Sequence, residues 1–156
     1  MIEFLAARAH QHLRMQPGHP SGAGAITEGI SVTMIRILLI DDDDDFRSML
    51  RTALEQDGYV VEEARNGHEG SQCYRTAPAD LVILDLLMPQ QEGLETIQTL
   101  RQAFPEVKII AISGGTGRLN FLPLARRFGA LRTLQKPFTL QQLHDVVHEV
   151  LQPPAP

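Results

Sequence analysis

Residues 37–50 read ILLIDDDDDFRSML. Four apolar residues run directly into five aspartates, Asp41 to Asp45. Phe46, Met49, Leu50, Ala53 and Leu54 then repeat at helical spacing. Adjacent like charges repel, and a carboxylate beside a buried strand loses hydration. The run therefore marks a strand that stops at Asp41 and a helix that begins within the acids. Asp44 is the expected N-cap, with Asp43 to Asp45 serving the positive end of the helix.

The same alternation continues in both directions. Ile35 to Ile40 is apolar but for one Arg, as in a strand covered on both faces. Gly58 is placed to end the first helix. Tyr59 to Val61 is β-prone, and residues 67–76 read as a helix with Asn66 as N-cap. Leu81 to Leu84 and Val107 to Ile112 are further buried strands. Between them Leu94, Ile97, Leu100 and Ala103 mark a helix that Pro105 stops. A glycine-rich turn follows (Gly114, Gly115, Gly117), then a short helix after Asn120 with Pro123 in its first turn. Leu131 to Leu134 is the last strand. Thr139 and Gln142 have capping-box spacing, and Leu140, Leu143, Val147 and Val150 line the final helix. Five β-α repeats with buried strands predict an α/β doubly wound, five-stranded parallel sheet.

The chain has 156 residues, 43% hydrophobic, with a net charge of −5. That suits one globular domain and argues against nonspecific nucleic-acid binding. No apolar run reaches the ~18–20 residues of a membrane span. The single cysteine, Cys73, forms no internal disulfide and fits a cytoplasmic location; a helix position without a redox role is expected for it. Residues 1–33 read as an N-terminal extension, flexible or belonging to a misassigned start. There Ile2, Leu5, Ala6, Ala9 and Leu13 share a helical face, and Met34 opens the first strand. His10, His12 and His19 in that stretch read as solvated. The globular domain is expected over 34–152, with a tail at 153–156.

Ligands of such sheets bind beyond the carboxyl ends of the strands. There the sequence places Asp41 and Asp42, Asp85, Ser113 and, after the last strand, Lys136. Three carboxylates so close need a cation, and Mg²⁺ accepts carboxylates, waters and a phosphate oxygen. Lys136 suits a phosphate as a point charge, and Ser113 as a hydroxyl donor. One carboxylate is then free to act as nucleophile toward a phosphoryl group.

Taken in order, ILLIDDDDD, LVILDLLMP, IIAISGG and TLQKPF resemble the response-regulator receiver domain of bacterial two-component signalling. The resemblance implies a flavodoxin-like (βα)5 fold with strand order 2-1-3-4-5. It implies Asp85 as phosphoacceptor, with Ser113 and Lys136 contacting the phosphoryl group. It implies Asp42 as a direct Mg²⁺ ligand, Asp41 acting largely through water, and Leu87 giving a backbone carbonyl. A cis Lys136–Pro137 bond is also implied. The donor would be a sensor histidine kinase or a histidine phosphotransfer protein. The chain would be a phosphoacceptor regulator and not an enzyme acting on other molecules. Its output would be a protein contact on the face of the fourth helix, fifth strand and fifth helix, with a homodimer allowed. No DNA-binding segment follows residue 152, so no direct nucleic-acid contact is expected.

Two positions depart from the family pattern. Thr133 stands where an aromatic switch residue is common. Leu87 and Gly115 stand where side chains flank the attacking water, so slow self-dephosphorylation is expected. Other readings are weaker. An EF-hand loop needs Gly and Glu where Phe46 and Thr52 stand. A haloacid-dehalogenase-type phosphatase could use Asp41 and Asp43, but needs a further acidic pair beyond Lys136, where only Asp145 and Glu149 remain. His144 and His148 are four apart but lack an evident third ligand; a solvent-facing pair is expected.

Overall fold

The computed structural model describes residues 34–89, 92–115 and 120–152. The expected N-terminal extension, its histidines, Gly117 and the tail at 153–156 lie outside the described residues.

Among the described residues five strands alternate with five helices. They are β1 (Arg36–Ile40), α1 (Asp44–Gln56), β2 (Val60–Ala64), α2 (Gly67–Thr76), β3 (Leu81–Asp85), α3 (Glu92–Ala103), β4 (Ile109–Ser113), α4 (Leu122–Phe128), β5 (Arg132–Gln135) and α5 (Leu140–Leu151). The sheet is parallel throughout, in the order β2-β1-β3-β4-β5. Successive side chains of a strand point to opposite faces, so the core divides in two. Leu38, Ile40, Val82, Leu84, Ile109 and Ala111 pack with Ile97, Leu100 and Ala125 of α3 and α4. Ile37, Leu39, Leu81, Ile83, Ile110 and Ile112 pack with Leu50 and Leu54 of α1 and with Leu143 and Val147 of α5. Both faces are buried, which is why β1, β3 and β4 read as continuous apolar runs.

Most helix ends follow their sequence signals. Asn66 Oδ1 accepts from the Glu69 N–H at 2.8 Å. Thr139 and Gln142 form both bonds of the capping box. Gly58 takes φ +90 just after α1, where a side chain would be strained. Pro123 sits in the first turn of α4.

Some expectations need correction. Asp43, not Asp44, caps α1: its Oδ1 accepts from the Asp45 and Phe46 N–H groups. Asp43 has an extended backbone, whereas Asp44 is already helical and pairs with Arg47. Met49 is exposed because Arg47 shares the inward face of α1 with Leu50 and Leu54. Ala103 and Leu140 are exposed because each sits at an end of its helix, beyond the packed turns. Val107 closes the turn after α3 by donating to the Phe104 carbonyl, so β4 begins at Ile109.

Candidate functional site

The register of the sheet assembles the site. β1 and β3 pair up to Ile40 with Leu84, so the next residues, Asp41 and Asp85, stand side by side. β3 and β4 pair Asp85 with Ile112, which places Ser113 at the adjoining strand end. The Lys136 N–H donates to the Ser113 carbonyl at 2.8 Å, tying the residue after β5 to β4. The Lys136–Pro137 peptide is cis.

Asp41 and Asp85 are 2% and 3% exposed, and Ser113 is fully buried. Asp42 lies on the surface beside them. One ligand atom each from Asp41, Asp42 and Asp85 falls within 4.8 Å of the others. Among the described residues this is the only such cluster of three metal-ligating side chains.

Each oxygen has a distinct setting. Asp41 Oδ1 accepts from the Asp43 N–H at 2.9 Å, and Oδ2 lies 3.4 Å from Lys136 Nζ. Asp85 Oδ2 accepts from the Leu87 N–H at 3.1 Å. Asp85 Oδ1 is buried 3.1 Å from Lys136 Nζ, but no donor is aligned with it for a hydrogen bond. Burial pushes the Asp85 carboxyl above its ordinary value; Lys136 opposes this in part, and Asp41 adds to it. Burial likewise raises Asp41 against the pull of the Asp43 N–H and Lys136. Both shifts indicate carboxylates short of positive charge.

Lys136 packs against one aromatic ring. Its ammonium lies 3.9 Å from the centre of the Phe46 ring, and Phe46 meets Phe138 edge-on. Beyond β4, Ser113 Oγ accepts from the Gly115 N–H at 3.2 Å, and Gln135 Nε2 donates to the Gly115 carbonyl at 2.8 Å.

The residues fit a hard divalent cation such as Mg²⁺. All three side chains offer oxygen donors, and a buried carboxylate oxygen lacks a hydrogen-bond donor. Leu87 lies two residues after Asp85, 40% exposed and with its N–H turned to the Asp85 carboxylate.

Other sequence candidates lie elsewhere. The His144 and His148 rings are parallel with centres 6.1 Å apart, so their in-plane lone pairs do not converge on one ion. Glu149 pairs with Arg132, and Asp145 accepts from Gln141, which leaves no acidic pair beyond Lys136. Cys73 is half-buried with its thiol pushed up, chiefly by burial, which disfavours a reactive thiolate. Surface grooves between α2 and α3 and between α1 and α5 contain none of the acidic cluster. Among the described residues no helix is long and apolar enough to cross a membrane.

Sequence reasoning missed Arg47. It is 6% exposed, and its guanidinium reaches the Asp41 carbonyl at 2.7 Å. Its spacing of three from Leu50 and seven from Leu54 was the available signal, since that is the apolar face of α1.

The family model described as the response regulator receiver domain matches residues 37–148. The chain is similar to the response regulator receiver protein CpdR of Brucella abortus, with 34% identity over 119 residues, covering 76% of this chain and 98% of that one. It is 35% identical over 112 residues to a probable C4-dicarboxylate response regulator, DctR, of Halalkalibacterium halodurans. That match covers 70% of this chain but only 48% of DctR. Among solved structures, a CheY-like receiver domain protein from Methanospirillum hungatei superposes with a TM-score of 0.71 at 27% identity, covering 76% of this chain and 94% of its own. With the strand order and the acidic strand ends already described, the match over most of the folded region places this chain in the response regulator receiver domain family of two-component signalling.

Proposed function

We propose that this chain is a phosphorylation-controlled switch, carried by residues 34–152, in which Asp85 accepts a phosphoryl group from a phosphorylated histidine of a partner protein. The observation that carries the reading is the buried Asp85 Oδ1, which faces Lys136 and lacks an aligned donor. A carboxylate oxygen of Asp85 attacks phosphorus as the P–N bond to the donor imidazole breaks. The imidazole nitrogen leaves with the bonding electron pair.

Asp41, Asp42 and Asp85, with the Leu87 carbonyl, would hold Mg²⁺. When bound, that ion supplies positive charge against the phosphoryl oxygens. Lys136 stabilises a second oxygen through its ammonium, and the Ser113 hydroxyl, which accepts from the Gly115 N–H, keeps its own proton to donate to a third. Fixed donors aimed at developing charge need no reorganisation during transfer. The signal then passes to a downstream protein through the face of α4, β5 and α5. Thr133 on β5 cannot act as a rotating aromatic ring.

Intact-mass measurement after incubation with acetyl phosphate and Mg²⁺ tests the reading. One phosphoryl adduct is expected on the wild-type chain and none on Asp85→Asn. No adduct, or one that persists in Asp85→Asn, would overturn it.

A further inference from the structure

We propose that Arg47 is a positioning residue for the acidic pocket, its buried guanidinium fixing the peptide that joins Asp41 to Asp42. This rests on the phosphoacceptor reading above and adds to it a residue that touches neither the phosphoryl group nor the cation.

Arg47 belongs to α1 yet spans three elements. Nη1 donates to the Asp41 carbonyl at 2.7 Å, at the end of β1. Nε donates to Glu63 Oε1 at 3.1 Å, on the edge strand β2. Nη2 pairs with Asp44 in its own first turn. Glu63 is in turn held by Arg51 at 2.6 Å, and Asp44 has Arg65 at 3.8 Å. On the other side of the same residue, the Asp41 N–H donates to the Ala64 carbonyl at 3.2 Å. Both ends of Asp41 are therefore referred to β2, one directly and one through Arg47.

The carbonyl that Arg47 holds belongs to the Asp41–Asp42 peptide, which joins two of the three carboxylates. Turning that plane would redirect Asp42 relative to Asp41. A planar guanidinium with several donors in a fixed fork can hold a carbonyl and two carboxylates together. A lysine at the same place keeps the charge but loses the fork. Burying an arginine is costly unless it is well paired, and an apolar residue beside Leu50 and Leu54 would escape that cost. The site accepts the cost and gains a fixed strand end.

The test compares wild type with Arg47→Lys, Arg47→Met and Glu63→Gln. Mg²⁺ binding is followed through the amide resonances of Asp41 to Asp43 without any phosphoryl donor. The Mg²⁺ dependence of acetyl-phosphate labelling is measured separately. Arg47→Lys should stay folded and need about 10-fold or more extra Mg²⁺ for half-saturation, as orienting partners of metal ligands do. Saturating Mg²⁺ should largely restore labelling, because the reacting groups are intact. Glu63→Gln, which keeps the guanidinium–carbonyl bond, should shift the midpoint less. A folded Arg47→Lys with the wild-type Mg²⁺ midpoint would overturn the assignment.

If neither Arg47 variant folds, the wild-type Arg47 Nη–H resonances, which include the donor to the Asp41 carbonyl, decide: they should move as Mg²⁺ saturates, and fixed resonances overturn the assignment. Wild type that neither binds Mg²⁺ nor takes an adduct overturns the phosphoacceptor reading, and this one with it. Wild type that does both, beside an unchanged Arg47→Lys, overturns this one alone.

Discussion

Lys136 Nζ lies 3.1 Å from Asp85 Oδ1 without the alignment of a hydrogen bond. It also lies 3.4 Å from Asp41 Oδ2 and above the Phe46 ring. One ammonium is thus shared by two buried carboxylates that need more charge than it supplies. Lys136→Met should lower the rate of acetyl-phosphate labelling by about 100-fold, the scale of losing one fixed transition-state donor. Labelling at saturating Mg²⁺ that matches wild type would show that the lysine is dispensable.

The same shortage sets a pH dependence. Burial raises the Asp85 carboxyl above its ordinary value of 3.8. An acid with a raised folded pKa makes the fold most stable below its unfolded value, and that stability is lost as pH rises through the folded pKa. With Mg²⁺ chelated, Asp85→Asn should therefore melt above wild type at neutral pH. The difference should close as pH falls toward 3.8. Added Mg²⁺ should stabilise wild type more than the variant. A difference that stays constant between neutral pH and pH 3.8 would contradict the burial argument.

Gln135 bonds to the carbonyl of Gly115, whose N–H bonds to Ser113 Oγ. This links β5 to the residue beside the site at a strand that carries Thr133 and no aromatic ring. A net hydrogen bond of about 1 kcal/mol corresponds to about a fivefold change in local opening. Gln135→Leu should speed amide exchange at Gly115 by that factor. The Lys136 amide, bonded to the Ser113 carbonyl, should change little. Equal exchange at Gly115 in both proteins would mean the amide side chain does not restrain the loop.

Two glycines separate fold from site. A Cβ on Gly93 would stand 2.6 Å from the Asp85 carbonyl oxygen and 2.6 Å from Leu86 Cα, both backbone. A Cβ on Gly70 would meet only the side chain of Ile40, at 2.3 Å. Each alanine variant should lose about 1–3 kcal/mol in chemical denaturation, the cost of overpacking. Only Gly93→Ala should also weaken Mg²⁺ binding, because it moves the backbone that carries Asp85. Unchanged Mg²⁺ binding in Gly93→Ala would show that the backbone relaxes elsewhere.

Leu87 has no group that could orient water next to Asp85. Leu87→Asn should shorten the lifetime of the phosphorylated protein by about tenfold, since placing a reactant is worth at least that much. Acid-quenched time courses of the labelled protein would measure it. Decay at the wild-type rate would show that the side chain at position 87 does not set the lifetime.

The strand ends were legible because chemistry and periodicity agree there. Asp41, Asp85 and Ser113 each follow an apolar run, and register alone brings them together. The helix cap was legible only to within one residue. In a run of identical aspartates, composition does not say which backbone turns first, and Asp43 holds that position rather than Asp44. Arg47 escaped because periodicity counts apolar residues, whereas a charged side chain can be buried if its partners are. Those partners, Glu63 and the Asp41 carbonyl, come from other elements that spacing along α1 does not report. Gln135 escaped for the same reason, since its partner is a backbone carbonyl twenty residues earlier.

The side-by-side placement of Asp41 and Asp85 has a consequence for folding. A slip of one residue between β1 and β3 would set Asp41 against Leu84 or Leu86 and dismantle the acidic cluster. A cation that binds only the intact cluster stabilises only correctly aligned molecules, by RT ln(1 + [L]/Kd). A cation bound there would thereby favour correctly aligned strands over slipped ones, since a misaligned chain would lack the cluster that holds it.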